Sequence, residues 1–256
     1  MVALPPGTLL QLMYLDERLN GLAPGHFIEI GPGSGEITKR LLMSGWTGTV
    51  YDLSEETIAT LKRRFAPEIA ACRLTAIQDN YLDSTGIADA DLVISCMVME
   101  HMDDESERDF MEVSAIHLRP GGRMIGLVPA SLSHWGIEDE IAGHCRRYSK
   151  ESMLRLLRSA GWNLIHVAGL TYPVSNLLLP LSNFLVRRNE TNKLALSAIE
   201  RTKHSGHRNV RFKTTFPSFV KLFLNETTML PLYWIQRLFL NSERALVLYF
   251  EAIYEA

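Results

Sequence analysis

The chain is short of cysteine: Cys72, Cys96 and Cys145 are the only three among 256 residues, and they stand far apart. That spacing supplies no metal-binding pair, no redox motif and no disulfide framework, and a reduced, cytoplasmic setting is expected. Long uncharged apolar runs are also missing. The stretch 176–186 comes closest, but Pro180 interrupts it and Arg187 and Arg188 end it. No bilayer span is therefore expected. The N-terminus has no basic segment followed by an apolar core, so no secretory signal is expected either. Nor is there an excess of one charge: 26 Lys and Arg stand against 29 Asp and Glu, a net charge of -3. That balance argues against a whole-protein nucleic-acid binder. What the chain does have is an apolar content of 46%, enough for a sizeable core in one large domain or one domain with an insertion.

The densest information lies at Phe27, Ile28, Glu29, Ile30, Gly31, Pro32, Gly33, Ser34 and Gly35. Strand-forming residues run into a glycine-rich turn. Ile37, Leu41 and Leu42 then follow near helical spacing. Such a turn at the carboxyl end of a strand is where open α/β sheets bind nucleotides. A dinucleotide fingerprint needs a third glycine at position 36, where Glu36 stands. The plainer reading is an ordinary βα turn without a ligand.

A second strand is expected over 47–51, ending in Asp52, with Ser54 as the N-cap of the next helix. An acid at that tip, about 20 residues after the glycine turn, is placed to accept hydrogen bonds from ribose hydroxyls. A third strand is expected near 72–77, followed by Gln78, Asp79 and Asn80. The apolar run Leu92, Val93, Ile94 suits a central parallel strand. After it come Ser95, Cys96, Met97, Glu100, His101, Asp103 and Asp104, then a helix over 104–117. Leu118, Arg119, Pro120, Gly121 and Gly122 read as a tight turn before another strand.

The spacing G-x-G-x-G with Glu29 two residues ahead resembles motif I of the class I S-adenosylmethionine-dependent methyltransferases. The acid at Asp52, the segment around Asp91 to His101 and the Pro-Gly-Gly turn resemble later landmarks of that family, in the right order. The likeness covers about residues 25–170. It implies a doubly wound, mostly parallel seven-stranded α/β sheet, S-adenosylmethionine as cofactor and S-adenosylhomocysteine as product. It further implies that Gly31, Gly33 and Gly35 meet the cofactor through their backbone, with Glu29 orienting the turn. Asp52 would take the ribose, and Asp79 with Asn80 the adenine. Main-chain carbonyls from Ser95 through Cys96 to Met97 would face the methionine end.

Candidates on the acceptor side are Glu100 and His101, and a second group formed by Ser133, His134, Trp135, His144, Arg146 and Arg147. Glu100, His101 or His144 could assist an acceptor oxygen of high pKa, which needs a base near it. The two arginines match an anionic acceptor group. Quinone-pathway O-methyltransferases, which the chain also resembles, bind a divalent cation through E-x-x-E-H. Here the first acid is replaced by Met97, so no obligatory metal is expected.

The remaining map has an N-terminal helix over 8–20, a loop over 131–148, a helix after Ser149 and a strand over 162–167. A mostly helical stretch follows from 173 to 240, with breaks at Pro180, Ser205-Gly206, Pro217 and Pro231, before a final antiparallel strand over 245–253. The expected domains are 1–173 with 244–256 for the cofactor, and 174–243 as a helical lid or insertion. Between Arg187 and Lys213 lie eight Lys and Arg and only two Glu. A basic stretch beside apolar segments suits a membrane interface, a solvated helix face or a dimer arm. The expected activity is methyl transfer to oxygen of a small or lipid-linked acceptor. A nicotinamide-dependent oxidoreductase and a non-catalytic binding protein on the same fold are the rivals.

Overall fold

The computed structural model describes residues 3–86, 88–190, 220 and 223–255. The expected breaks at Ser205-Gly206 and Pro217 lie outside the described residues. The chain divides into two compact units. One comprises Leu22–Val128, Lys150–Val167 and Tyr249–Ala256, the other Met1–Gly21, Pro129–Ser149 and Ala168–Leu248.

The first unit carries the sheet. Its strands are β1 (His26–Ile30), β2 (Thr47–Asp52), β3 (Leu74–Gln78), β4 (Ala90–Cys96), β5 (Leu118–Pro129), β6 (Trp162–Leu170) and β7 (Val247–Tyr254), in the order β3-β2-β1-β4-β5-β7-β6. The first five are parallel. The expected closing strand is β7, which lies between β5 and β6, where the sheet's antiparallel pairing falls. Phe27, Leu92, Val93, Ile94, Met124 and Ile125 are fully buried, as strands covered on both faces require. Gly48 faces Phe27 across the β1–β2 ladder, and a Cβ there would sit 2.5 Å from the ring.

The intervening helices begin where the sequence suggests. In α2 (Glu36–Met43) the buried face is Ile37, Thr38, Leu41 and Leu42. Ser54 caps α3 (Glu55–Arg64) by accepting from the Thr57 N–H at 3.2 Å. The short α4 (Ala66–Ala70) follows, and Asp103 caps α5 (Asp104–His117) by accepting from Ser106 N–H at 2.8 Å. The turn expected before β5 is instead part of it. Leu118 pairs with Ala90 and Arg123 with Leu92, so Arg119 to Gly122 form a bulge. Asp91, opposite the bulge, holds Arg119 in an ion pair and accepts from His26 N–H at 2.7 Å.

The second unit contains α1 (Pro6–Leu19), which packs against α8 (Val174–Glu190) and α9 (Glu226–Leu238). Two expectations need correction here. Pro180 lies inside α8 and Pro231 inside α9, and neither breaks its helix. Both prolines are exposed, so the carbonyl each leaves without an N–H can turn to water. The segment 131–148 is not simply a loop: it holds a 3-10 turn at Leu132–His134 and the helix α6 (Ile137–Ala142). The next helix, α7 (Lys150–Ser159), belongs to the sheet unit and buries Met153 and Leu157. The stretch expected as a separate 174–243 insertion shares its unit with α1 and the 129–149 segment.

Candidate active site

The chain leaves β1 toward β2 and β3 on one side, and later β4 and β5 build the other side. The reversal at β1 and β4 is the switch point where open α/β sheets hold ligands. Ile30 is level with Tyr51 on β2 and with Ser95 on β4. The glycine turn, Asp52 and Cys96 therefore follow at one height on three adjacent strands. Gly31 N–H donates to the Tyr51 carbonyl at 2.9 Å, tying the first two tips together. Asp52 is level with Gln78, which brings Asp79 and Asn80 next in the row.

The three glycines of the turn serve different ends. A Cβ on Gly31 would stand 2.6 Å from Val98, and one on Gly35 would stand 2.7 Å from both Leu61 and Phe65. Those two are packing glycines. Gly33 has φ +52 and nothing within 4 Å of the place its Cβ would occupy. Its bare backbone faces open space, as close approach of a ligand to the main chain requires.

Glu29 is buried beneath this turn, and Thr38 Oγ1 donates to its Oε2 at 2.5 Å. Burial pushes its pKa up to about 7, the Thr38 hydrogen bond opposes the rise, and the Asp52 charge adds to it. Asp52 is half-buried, and its Oδ1 accepts from Ser54 N–H at 2.8 Å. Arg64, at the end of α3, donates to the Ser34 carbonyl and pairs with Glu36 at 2.8 Å. Thr38 and Arg64 are supports that motif reading passed over. Their signal was helical position: Thr38 is on the buried face of α2 beside the turn.

Asp79 is exposed and accepts from Asn80 N–H at 2.8 Å. Asn80 builds its own turn, accepting from Leu82 N–H at 3.3 Å and donating to Asp83 at 3.0 Å. Burial, with Glu100 and Glu29 nearby, pushes the Cys96 thiol up to about 12, which keeps it a neutral thiol at the end of β4. Beyond it Met97 takes φ +57, a costly angle for a side-chain-bearing residue, with its N–H on the Leu127 carbonyl at 2.8 Å. Fully buried Glu100 and half-buried His101 lie on the 3-10 turn Met99–His101. Asp103 is committed to capping α5.

In the other unit, His144 is organised by a residue the motifs did not single out. Asp139, fully buried in α6, accepts from His144 Nδ1 at 2.8 Å, from Arg147 Nε at 2.8 Å and from Gly136 N–H at 2.8 Å. Burial alone would raise its pKa, but the hydrogen bonds from His144 and Arg147 and the Arg147 charge outweigh that and hold it below the ordinary range. Gly143, at φ +76, ends α6 and turns the chain so that His144 N–H reaches the Asp139 carbonyl at 2.9 Å. The missed signal was an acid five residues before His144 in a short acidic helix. Arg147 also donates to the Ala130 carbonyl at 2.9 Å. Its guanidinium is thus engaged within the fold. His134 is linked to Asn176 Nδ2 at 3.3 Å, and burial, then the Arg147 charge, lower its pKa.

A carboxylate can only accept, so Nδ1 of His144 carries the proton toward Asp139 and the neutral ring has its lone pair on Nε2. That is the arrangement of an oriented general base.

Solved structures share this fold. The glycopeptide N-methyltransferase MtfA, in complex with S-adenosylmethionine, is 17% identical, with 65% of this chain and 87% of that one aligned at a TM-score of 0.51. The [4+2]-cyclase SpnF is 12% identical, with 96% and 82% aligned at a TM-score of 0.59. Phosphoethanolamine N-methyltransferase 2 of Haemonchus contortus, in complex with S-adenosylmethionine, is 15% identical, with 96% and 52% aligned at a TM-score of 0.59. No curated protein matches the sequence. Residues 9–167, more than half of the chain and all of the β1–β4 tip arrangement, match the family described as methyltransferase domain, and the chain belongs to that family.

Proposed function

We propose that this chain binds S-adenosylmethionine across the tips of β1, β2 and β4 and transfers its methyl group to an oxygen of a small or lipid-linked acceptor, releasing S-adenosylhomocysteine. The observation that carries the reading is the level placement of Ile30, Tyr51 and Ser95 on three neighbouring parallel strands, so that the glycine turn, Asp52 and Cys96 follow side by side. Gly33 offers bare main chain, and Asp52 offers a half-buried carboxylate to two vicinal hydroxyls. Glu29 supports the turn from below, and Asp79 with Asn80 bounds the adenine side. The carbonyls near Cys96 face the methionine end.

When bound, the cofactor supplies a methyl group activated on a sulfonium. The protein's share is alignment, worth several kcal/mol in such displacements, and removal of the acceptor's proton. His144, oriented by Asp139, is the candidate base for that proton, and Asp139 would steady the imidazolium formed. Glu100 and His101 assist at the end of β4. A base of this kind favours an alcohol or phenol as acceptor.

Isothermal titration with S-adenosylmethionine and S-adenosylhomocysteine tests the binding claim. Both ligands bind the parent, and Asp52→Ala weakens each by about 10- to 100-fold, the loss of a charged hydrogen-bond acceptor. Absence of binding, or an Asp52→Ala variant equal to the parent, ends the proposal.

A further inference from the structure

Two helices of the second unit present an apolar stripe to solvent while polar side chains help hold them in place. In α8, Asn176 donates to the Arg244 carbonyl at 2.8 Å and Ser182 donates to Glu138 at 2.5 Å. Its exposed stripe is Leu177, Leu181 and Phe184, which are 78%, 56% and 60% exposed, and it ends on Arg188. These positions fall at i, i+4, i+7 and i+11, one face of a helix.

The same pattern holds in α9. Tyr233 donates to Glu17, while buried Gln236 accepts from Thr171 N–H at 2.6 Å and donates to the Leu10 carbonyl at 3.3 Å. Leu230, Trp234 and Leu238 point outward, and Arg237 lies over the Trp234 ring at 5.3 Å. A helix facing water presents its polar side outward. Here polar side chains help fasten each helix to its unit, beside buried Val186 in α8 and Met229 in α9, and large apolar side chains are presented as well.

We infer that the exposed faces of α8 and α9 dock on the interface of an anionic lipid bilayer. Charge selects this occupant over a second copy of the chain. Near its end α8 carries exposed Arg187 and Arg188 against a single carboxylate, Glu190, while α9 has only Glu226, in its first turn. A second copy pairing through α8 would bring more arginine than acid to the same place. Lipid phosphates would meet the arginines while Leu177, Phe184 and Trp234 enter the acyl boundary, the pattern of an interfacial helix. The sequence beyond Arg188 continues basic as far as Lys213. No helix among the described residues is long and apolar enough to cross a membrane, so the contact is peripheral. This inference stands apart from the methyl acceptor and from cofactor binding.

Flotation of the full chain with phosphatidylcholine vesicles, with and without phosphatidylglycerol, tests it. The parent floats with the vesicles containing phosphatidylglycerol, and less so in high salt. The combined variant Leu177→Ser, Phe184→Ser, Trp234→Ser no longer floats. Arg187→Gln with Arg188→Gln weakens partition by roughly fivefold per arginine. Thermal melts like the parent's show that the variants are folded. A parent that ignores anionic vesicles overturns the inference. So does a serine variant that still floats, or a parent that sediments as a dimer while that variant sediments as a monomer.

Discussion

His144 Nδ1 and Asp139 Oδ1 stand 2.8 Å apart, with Asp139 completely buried. The same carboxylate also holds Arg147, so one side chain orients the proposed base and fastens its loop. His144→Ala should lower kcat by about 100-fold or more, the usual worth of a general base, while titration shows cofactor affinity unchanged. An equal kcat would move the base elsewhere.

Asp139→Asn should cost more in stability than in cofactor binding. Breaking a buried charged pair costs about 3–5 kcal/mol. Because the native pKa is depressed, Asp139 contributes its full stability above the unfolded-state pKa and loses it as pH falls through the native value. The melting difference between parent and variant should therefore be constant through neutral pH and shrink only in acid. A difference that grew on acidification would contradict the pairing.

Glu29 predicts the opposite trend. Its native pKa of about 7 lies above the ordinary carboxylate value of 4.5, so the folded state binds the extra proton between those values. Stability from this group falls as pH rises through that window. Glu29→Gln, which keeps an acceptor for Thr38, should stabilise the ligand-free protein at pH 8 by up to roughly 3 kcal/mol, with the gain fading toward pH 5. Melting curves at the two pH values decide it.

The glycine turn separates two kinds of damage. Gly33→Ala meets no atom but forces a positive φ on alanine, at about 1–2 kcal/mol, and its methyl group enters the proposed cofactor space. It should fold and bind S-adenosylmethionine poorly. Gly35→Ala drives a methyl group into Leu61 and Phe65, as well as straining φ +78. It should lower the melting temperature more. Equal effects on both properties would remove the distinction between ligand-facing and packing glycines.

The sheet unit was largely legible because its signals are local. Buried strands read as apolar runs, and the caps Ser54 and Asp103 sit where capping chemistry places them. What escaped depends on partners distant in sequence or on short elements. α6 has only six residues, too few to show a period, and Asp139 lies on it. Pro180 and Pro231 suggested breaks because sequence alone does not say which face of a helix is wet. The bulge in β5 depends on Asp91, nearly thirty residues earlier, gripping Arg119. The polar side chains fastening α8 and α9 find their partners in α1, α6 and the chain before β7, which no motif records.

β1 is laddered on both sides, Glu29 being level with Val50 and with Ile94. Side chains alternate along a strand, so inserting or deleting one residue here would turn every side chain over. Glu29 would lose Thr38, and the glycine turn would emerge out of step with both neighbours. Divergence in what such a protein modifies must then come from the segments that follow the strand tips, while the ladder itself is inherited as a unit.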